Sequence, residues 1–139
     1  MKKKLNIAIQ MDPLENLNLK GDTTFALAME AQNRSFNLSH FTPNDVFYIS
    51  GKVFASTKKL NVFFKNGNEG FSYGKEKVED LSHFNIILMR QDPPFDLAYI
   101  TATHLLEKVS TKTLVINNPY EVRNAPEKIC VTEFHKIMP

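Results

Sequence analysis

The sequence predicts an α/β fold: a small, open, mostly parallel sheet with helices on both faces and an antiparallel β insertion. Short apolar runs typical of buried strands alternate with helical patterns. Residues 46–65 instead alternate with period two and are rich in β-branched and aromatic side chains. The elements therefore follow the order β-α-β, a β-rich insertion, and then β-α-β-α.

Length and composition indicate one ordinary globular domain. The chain has 139 residues, 42% of them hydrophobic and 23% charged, which excludes a disordered chain. A formal net charge of +2 does not favour nucleic acid as a partner, and no apolar run reaches the length of a membrane span. The lone cysteine, Cys130, excludes an internal disulfide and predicts a cytoplasmic location.

The first half of the chain contains a β-α-β unit and then the insertion. A strand over 5–11 ends at Asp12-Pro13, and a helix begins with Asp22 or Thr23 as its N-cap. A second strand covers 37–41 and leads through a turn into the insertion. The insertion is predicted as a hairpin over 46–65, a loop tip over 66–70, a short edge strand over 71–73 and a polar connection over 75–81.

The stretch from Phe84 to Asp96 organises the second half. Ile86 to Met89 form an unbroken apolar run, typical of a strand buried on both faces, and Arg90 and Asp92 follow at once. Ligands in open α/β sheets collect outside the carboxyl ends of such strands. Two prolines then stiffen the turn, and either X-Pro bond there could be cis.

Asp96 is predicted to cap the next helix, and further elements follow it. One side of this helix is traced by Leu97, Ile100, Thr101, His104, Leu105 and Lys108, with Leu106 and Val109 extending the apolar stripe. A strand is expected over 113–116, and a short helix begins at Pro119. A last helix is expected from Glu127 to Met138, with Val131, Phe134, Ile137 and Met138 as its apolar side. The end at Pro139 suggests an interdomain boundary, so 1–125 is predicted as a domain and 126–139 as a linker helix.

Several chemistries have no motif here. No GxGxxG or GxxxxGK[ST] pattern is present, and the four histidines are not at metal-ligand spacing. We therefore assign no catalytic residue and no metal ligand. Arg90 is either an anion grip or the partner of Asp12 or Asp92 in an ion pair that closes the strand end. The pair Asp22-Thr23 either caps its helix only or presents free N–H groups to an anion.

Four segments resemble the N-terminal part of bacterial glutathione synthetase. They are Met11-Asp12-Pro13, residues 20–32 (KGDTTFALAMEAQ), residues 89–96 (MRQDPPFD) and residues 115–128 (VINNPYEVRNAPEK). The resemblance spans nearly the whole chain in the right order. It implies a pre-ATP-grasp domain and an ATP-dependent ligase that joins γ-glutamylcysteine to glycine with ATP and Mg²⁺. The ATP-grasp domain would follow in cis, the fragment alone would be inactive, and the enzyme could form a homo-oligomer.

The resemblance also implies site residues. Arg90, Asp22 and Thr23 would bind the peptide substrate, although the family usually has serine where Thr23 stands. Lys128, which looks like an ordinary surface lysine by itself, would reach the ATP phosphates. Gln91 replaces a frequent lysine and is expected at a tolerant rim position. The alternative is a stand-alone, non-catalytic α/β binding or assembly domain, which the gene sequence beyond codon 139 would distinguish.

Overall fold

The computed structural model describes residues 4–137. Its seven strands are β1 (Asn6–Gln10), β2 (Asn37–Phe41), β3 (Val46–Ile49), β4 (Lys52–Lys65), β5 (Asn68–Asp80), β6 (Ile86–Met89) and β7 (Leu114–Ile116). The α-helices are α1 (Thr23–Asn33), α2 (Leu97–Val109), α3 (Pro119–Asn124) and α4 (Glu127–Cys130). Single 3₁₀ turns cover Leu14–Asn16, Pro43–Asp45, Leu81–His83 and Val131–Phe134.

All seven strands join one sheet in the order β3-β4-β2-β1-β6-β7, with β5 paired to β4. The centre is parallel, because β1 pairs with both β2 and β6, and β6 pairs with β7. The insertion supplies the antiparallel pairs that β4 makes with β2, β3 and β5. This architecture confirms the predicted fold class.

Two apolar layers hold helices against opposite faces of the sheet. On one face, Phe25 and Ala28 of α1 pack with Ile7 and Ile9 of β1. On the other face, a second buried cluster joins Leu106 of α2 to the sheet. Full burial of such a side chain contributes about 1.5–3 kcal/mol, so these layers fix where α1 and α2 begin relative to the strand ends.

The insertion is a longer hairpin than the sequence predicted. The tight turn is Asn66-Gly67, with φ of 54° and 78°, and β5 already begins at Asn68. The predicted loop tip over 66–70 and the polar connection over 75–81 are therefore wrong. An Asn-Gly pair suits the two positive φ angles of a type I′ turn. The apolar alternation that signals a strand is missing because most β5 side chains are exposed.

The buried side of α2 also differs from the prediction. Ala102, Thr103, Leu106 and Val109 face the core, whereas Leu97 is 78% exposed. Thr103 is fully buried because its hydroxyl donates a hydrogen bond to the carbonyl oxygen of Ile100 at 2.6 Å. A polar residue that satisfies itself locally does not weaken the packing, so binary patterning missed it.

The predicted last helix is much shorter than expected. α4 ends at Cys130, and a 3₁₀ turn over Val131–Phe134 replaces the helix that was expected to reach Met138. Val131, Phe134 and Ile137 are exposed, and Met138 lies outside the described residues. Short helices gain most of their stability from a buried apolar face, which this segment does not have within residues 4–137. No helix in that range is long and apolar enough to cross a membrane.

Candidate functional site

Arg90 lies where the carboxyl end of β6 meets β1 and the start of α1. The parallel register pairs Gln10 with Met89, so both strands end at the same level. The backbone N–H of Arg90 donates to the carbonyl oxygen of Gln10 at 2.8 Å, which extends this pairing by one residue. The side chain of Arg90 therefore leaves the sheet from a fixed point at its carboxyl edge.

The guanidinium group of Arg90 is held by two threonines. Its Nε donates to Thr24 Oγ1 at 3.0 Å, and its Nη2 donates to Thr23 Oγ1 at 2.9 Å. No ion pair of Arg90 with Asp12 or Asp92 is found among residues 4–137. Because both partners are neutral hydroxyls, the positive charge is oriented but not neutralised. This geometry favours the anion grip over the ion pair that the sequence left open.

Neighbouring residues at the start of α1 have different hydrogen-bonding roles. Asp22 is the N-cap, and its Oδ1 accepts a hydrogen bond from the N–H of Phe25 at 2.6 Å. Thr23 is exposed, and its hydroxyl accepts from Arg90. The structure thus brings Arg90 and Thr23 together directly, whereas the Asp22 carboxylate serves the helix. Thr24, which the sequence interpretation did not single out, is the buried second anchor of the guanidinium group.

A cavity of about 360 Å³ lies at the same edge of the sheet, on the α2 side. Its lining includes Asp12, Gln91, Asp92 and Tyr99, and the turn beside it contains the cis peptide bond Pro93–Pro94. Gln91 is only 8% exposed, so the expectation that it occupies a tolerant rim position is wrong. Asp12 was recognised from the sequence as a strand-end residue, but its place in a cavity was not.

Electrostatics in this cavity are dominated by acidic groups. Burial raises the pKa of Asp12 above its ordinary value, and the neighbouring Asp92 raises it further, while His40 acts in the opposite direction. Burial also raises the pKa of Tyr99, again with a contribution from Asp92. Burial lowers the pKa of His40, whose ring Nε2 lies 3.2 Å from the carbonyl oxygen of Met11. A cationic ligand would relieve the repulsion between the two carboxylates.

Two buried glutamines at this edge have unsatisfied polar atoms. The side-chain oxygen and nitrogen of Gln10, which is fully buried, have no hydrogen-bond partner in the described chain, and neither does Oε1 of Gln91. Such groups cost stability, so they need a reason to be retained. For Gln10, the signal in the sequence was a glutamine directly after a buried apolar run. The hydrophobic pattern alone treats such a residue as the end of a strand.

Lys128 is the predicted phosphate-binding residue, and it does not join this site. It is exposed on α4, and the hydrogen bonds described for residues 4–137 do not link it to Arg90, Asp22 or Thr23. An exposed lysine fits a phosphate that approaches from outside the domain. The same part of the chain contains no group of three His, Cys, Asp or Glu residues that could hold a metal ion.

Together, the open sheet and the polar strand ends are those of an α/β domain with a candidate ligand site at its carboxyl edge. Comparison with known proteins specifies which one. The family model "Prokaryotic glutathione synthetase, N-terminal domain" matches residues 5–123. The chain therefore belongs to the prokaryotic glutathione synthetase family, of which it is the N-terminal domain.

Individual relatives agree with this assignment. The chain is 51% identical over 136 residues to a glutathione synthetase of Bradyrhizobium diazoefficiens, in an alignment that covers 98% of the chain. Identity is 48% to that of Agrobacterium fabrum over the entire chain, and 39% to that of Escherichia coli K12 over 97% of it. In each case the chain spans 43% of the length of the relative.

Proposed function

We propose that this chain is the substrate-binding domain of an ATP-dependent ligase that joins γ-glutamylcysteine to glycine. The observation that carries the proposal is the Arg90 guanidinium group, oriented by neutral hydroxyls at the carboxyl edge of a parallel sheet. γ-Glutamylcysteine has two carboxylates, and an oriented guanidinium group binds a carboxylate through two parallel hydrogen bonds. The name shared by the relatives, glutathione synthetase, supports this choice of substrate.

In this proposal the residues at the start of α1 have distinct roles. Arg90 binds a carboxylate of the dipeptide, and Thr23 keeps the guanidinium group turned toward it. Asp22 contributes to the substrate site by fixing the first turn of α1, since its side chain caps the helix. These are positioning and binding roles, because none of the three side chains is placed as a general base.

ATP would supply the activation of the carboxylate that glycine attacks. Lys128 would approach the phosphates from this domain as a single positive charge. Because no metal-ligand cluster is found among residues 4–137, we propose that Mg²⁺ and most nucleotide contacts come from an ATP-grasp domain that follows in cis. Accordingly, the fragment alone is expected to be inactive.

The organisation of the protein follows from the same proposal. Residues 1–125 would form the substrate-binding domain and 126–139 the connection to the ATP-grasp domain. The exposed apolar side chains of Ile129, Phe134 and Ile137 are consistent with a segment that packs against a further part of the protein. A homo-oligomer and a cytoplasmic location remain predictions from the family resemblance and the lone cysteine.

The test is a coupled assay of ADP release by the full-length protein. We expect release only when γ-glutamylcysteine and glycine are both present. Equal release with D-alanine in place of glycine would contradict the proposed substrate pair. No ADP release with any amino acid would contradict the ligase assignment, and binding of γ-glutamylcysteine without turnover would favour a non-catalytic binding domain.

A further inference from the structure

We propose that the cavity on the α2 side binds the ammonium group of γ-glutamylcysteine, with the Asp12 carboxylate and the Gln91 side-chain oxygen as its acceptors. This inference rests on the proposed function, because it names the part of the substrate that this side of the site recognises. It adds Asp12 and Gln91 to a site for which sequence reasoning supplied only Arg90, Asp22 and Thr23.

Strand geometry places the two acceptors together. Since Gln10 is paired with Met89, the next residues along the parallel strands bring Asp12 beside Gln91. Successive side chains of a strand point to opposite faces. Arg90 contacts α1 on one face, and Gln91 lines the cavity with Tyr99 of α2 on the other. Just beyond the end of β6, the Arg90 cation therefore lies on the α1 face of the sheet and the Gln91 acceptor lies on the α2 face.

The charge of the cavity selects a cation. Asp12 and Asp92 both line it, and burial followed by the charge of Asp92 raises the pKa of Asp12. Neither forms a salt bridge within the described part of the chain. No cluster of three metal-ligating side chains occurs among residues 4–137. An organic ammonium group suits acceptors of this kind, because it donates N–H groups to oxygen atoms and needs no acceptor partner.

Gln91 provides independent evidence for a ligand. The residue is 8% exposed, yet its side-chain Oε1 has no partner in the described structure. A buried amide oxygen without a donor costs about 1–3 kcal/mol. An ammonium group carries three N–H donors and no acceptor, so it can satisfy Gln91 and a carboxylate at the same time. Of the three charged groups of γ-glutamylcysteine, only the ammonium matches this cavity.

The experiment compares two ligands by titration calorimetry on the full-length protein. One is γ-glutamylcysteine, and the other is glutarylcysteine, in which hydrogen replaces the ammonium group and both carboxylates remain. For Asp12→Asn we expect γ-glutamylcysteine to bind about 10- to 100-fold more weakly, because a charge-assisted hydrogen bond is lost. Glutarylcysteine should bind Asp12→Asn at least as well as it binds the wild-type protein.

Asp96→Asn is the matched control. Asp96 also lines the cavity, but its Oδ1 already accepts from the N–H of Tyr99 at 2.9 Å as the N-cap of α2, and asparagine caps a helix equally well. We expect Asp96→Asn to keep the wild-type affinity for γ-glutamylcysteine within about threefold. An equal loss in both variants would show a general field effect and overturn the contact with Asp12.

Two other outcomes separate this inference from the proposed function. If Asp12→Asn binds both ligands as the wild-type protein does, or loses affinity for both equally, the ammonium site is wrong while the dipeptide remains the substrate. If the wild-type protein binds neither ligand, the proposed function itself fails. Thermal melting of each variant confirms that a loss of affinity does not come from unfolding.

Discussion

The parallel sheet has an amino edge, where its strands begin, and a carboxyl edge, where they end. The two edges differ in the hydrogen bonding of their polar side chains. At the amino edge, Asn85 Oδ1 accepts from the N–H of Asn6 at 2.8 Å, and Thr113 Oγ1 donates to the carbonyl oxygen of Phe84 at 3.0 Å. At the carboxyl edge, the buried side chains of Gln10 and Gln91 have atoms with no partner in the described chain. The polar side chains of the amino edge therefore stabilise the fold, whereas the unpartnered glutamine atoms of the carboxyl edge cost stability.

The largest expected effect is on binding at the carboxyl edge. Arg90→Ala in the full-length enzyme should raise the KM for γ-glutamylcysteine about 100-fold, because a carboxylate loses its bidentate partner. The KM for ATP should change little, and steady-state kinetics measures both. Arg34→Ala is the control, since Arg34 forms only an exposed ion pair with Glu30 on α1. An unchanged KM for the dipeptide would remove Arg90 from the site.

Thr113→Val tests the amino edge with a variant of nearly the same shape. The hydroxyl of Thr113 donates to the carbonyl oxygens of Leu81 and Phe84, and the residue is 2% exposed. Valine leaves both carbonyl oxygens without this donor, so the free energy of unfolding should fall by about 1–3 kcal/mol. Urea denaturation followed by circular dichroism measures the change. If Thr113→Val changed the substrate KM as strongly as it changed the free energy of unfolding, the amino edge would also take part in binding. The contrast between the two edges would then be wrong.

Gln10→Met makes the corresponding change at the carboxyl edge, and the sign should reverse. Gln10 is fully buried, and its side-chain amide has no partner to lose within residues 4–137. Replacing it with an apolar side chain of similar length should raise the free energy of unfolding by about 1 kcal/mol. The same urea experiment gives the answer. A loss of stability as large as that of Thr113→Val would mean that Gln10 is satisfied in solution.

The smallest effect concerns pH. The pKa of Asp80 is lowered to about 2, mainly because its carboxylate accepts a hydrogen bond from the Ser82 hydroxyl. Burial acts in the opposite direction. A lowered pKa means that this stabilisation is present above about pH 4 and is lost as the pH falls toward 2. Asp80→Asn should therefore destabilise the chain by about 1 kcal/mol at pH 7, discounted because the Lys52 partner is exposed. The difference from the wild-type protein should shrink as the pH falls and vanish below about pH 2, where Asp80 is protonated in both the folded and the unfolded state; a deficit that persists there would exclude this ionisation.

The parallel centre and the β3–β4 hairpin of the insertion could be predicted from the sequence, and the length of β5 could not. The apolar run Ile86–Met89 is buried on one face and half-buried on the other, so its composition alone identifies it as a strand. β5 has no such signal, because its pairing with β4 rather than burial makes it a strand. For α2, the capping role of Asp96 and the burial of Leu106 and Val109 were predicted and are confirmed. The burial of Thr103 was not predicted, because a threonine looks polar although its hydroxyl bonds within its own helix.

The site was predictable only in part for a related reason. Arg90 and Thr23 lie in recognisable motifs, and their proximity follows from the strand and helix ends that the fold brings together. Asp12 and Gln91 meet only because β1 and β6 are in one particular register. That register depends on packing between segments more than seventy positions apart, which no local pattern encodes.

The exposed hairpin strand has a consequence for handling this protein. Within the described chain, β5 pairs on one side only, so a row of backbone groups along its thirteen residues is available to another strand. Lys75, Glu76, Lys77 and Glu79 place charges along this open edge, where a second hairpin would have to dock. The hydration of these charged side chains opposes strand pairing between two molecules. Neutralising them would remove the ion pairs Lys58–Glu76 and Lys77–Glu79 and would also expose this edge to pairing with a second molecule.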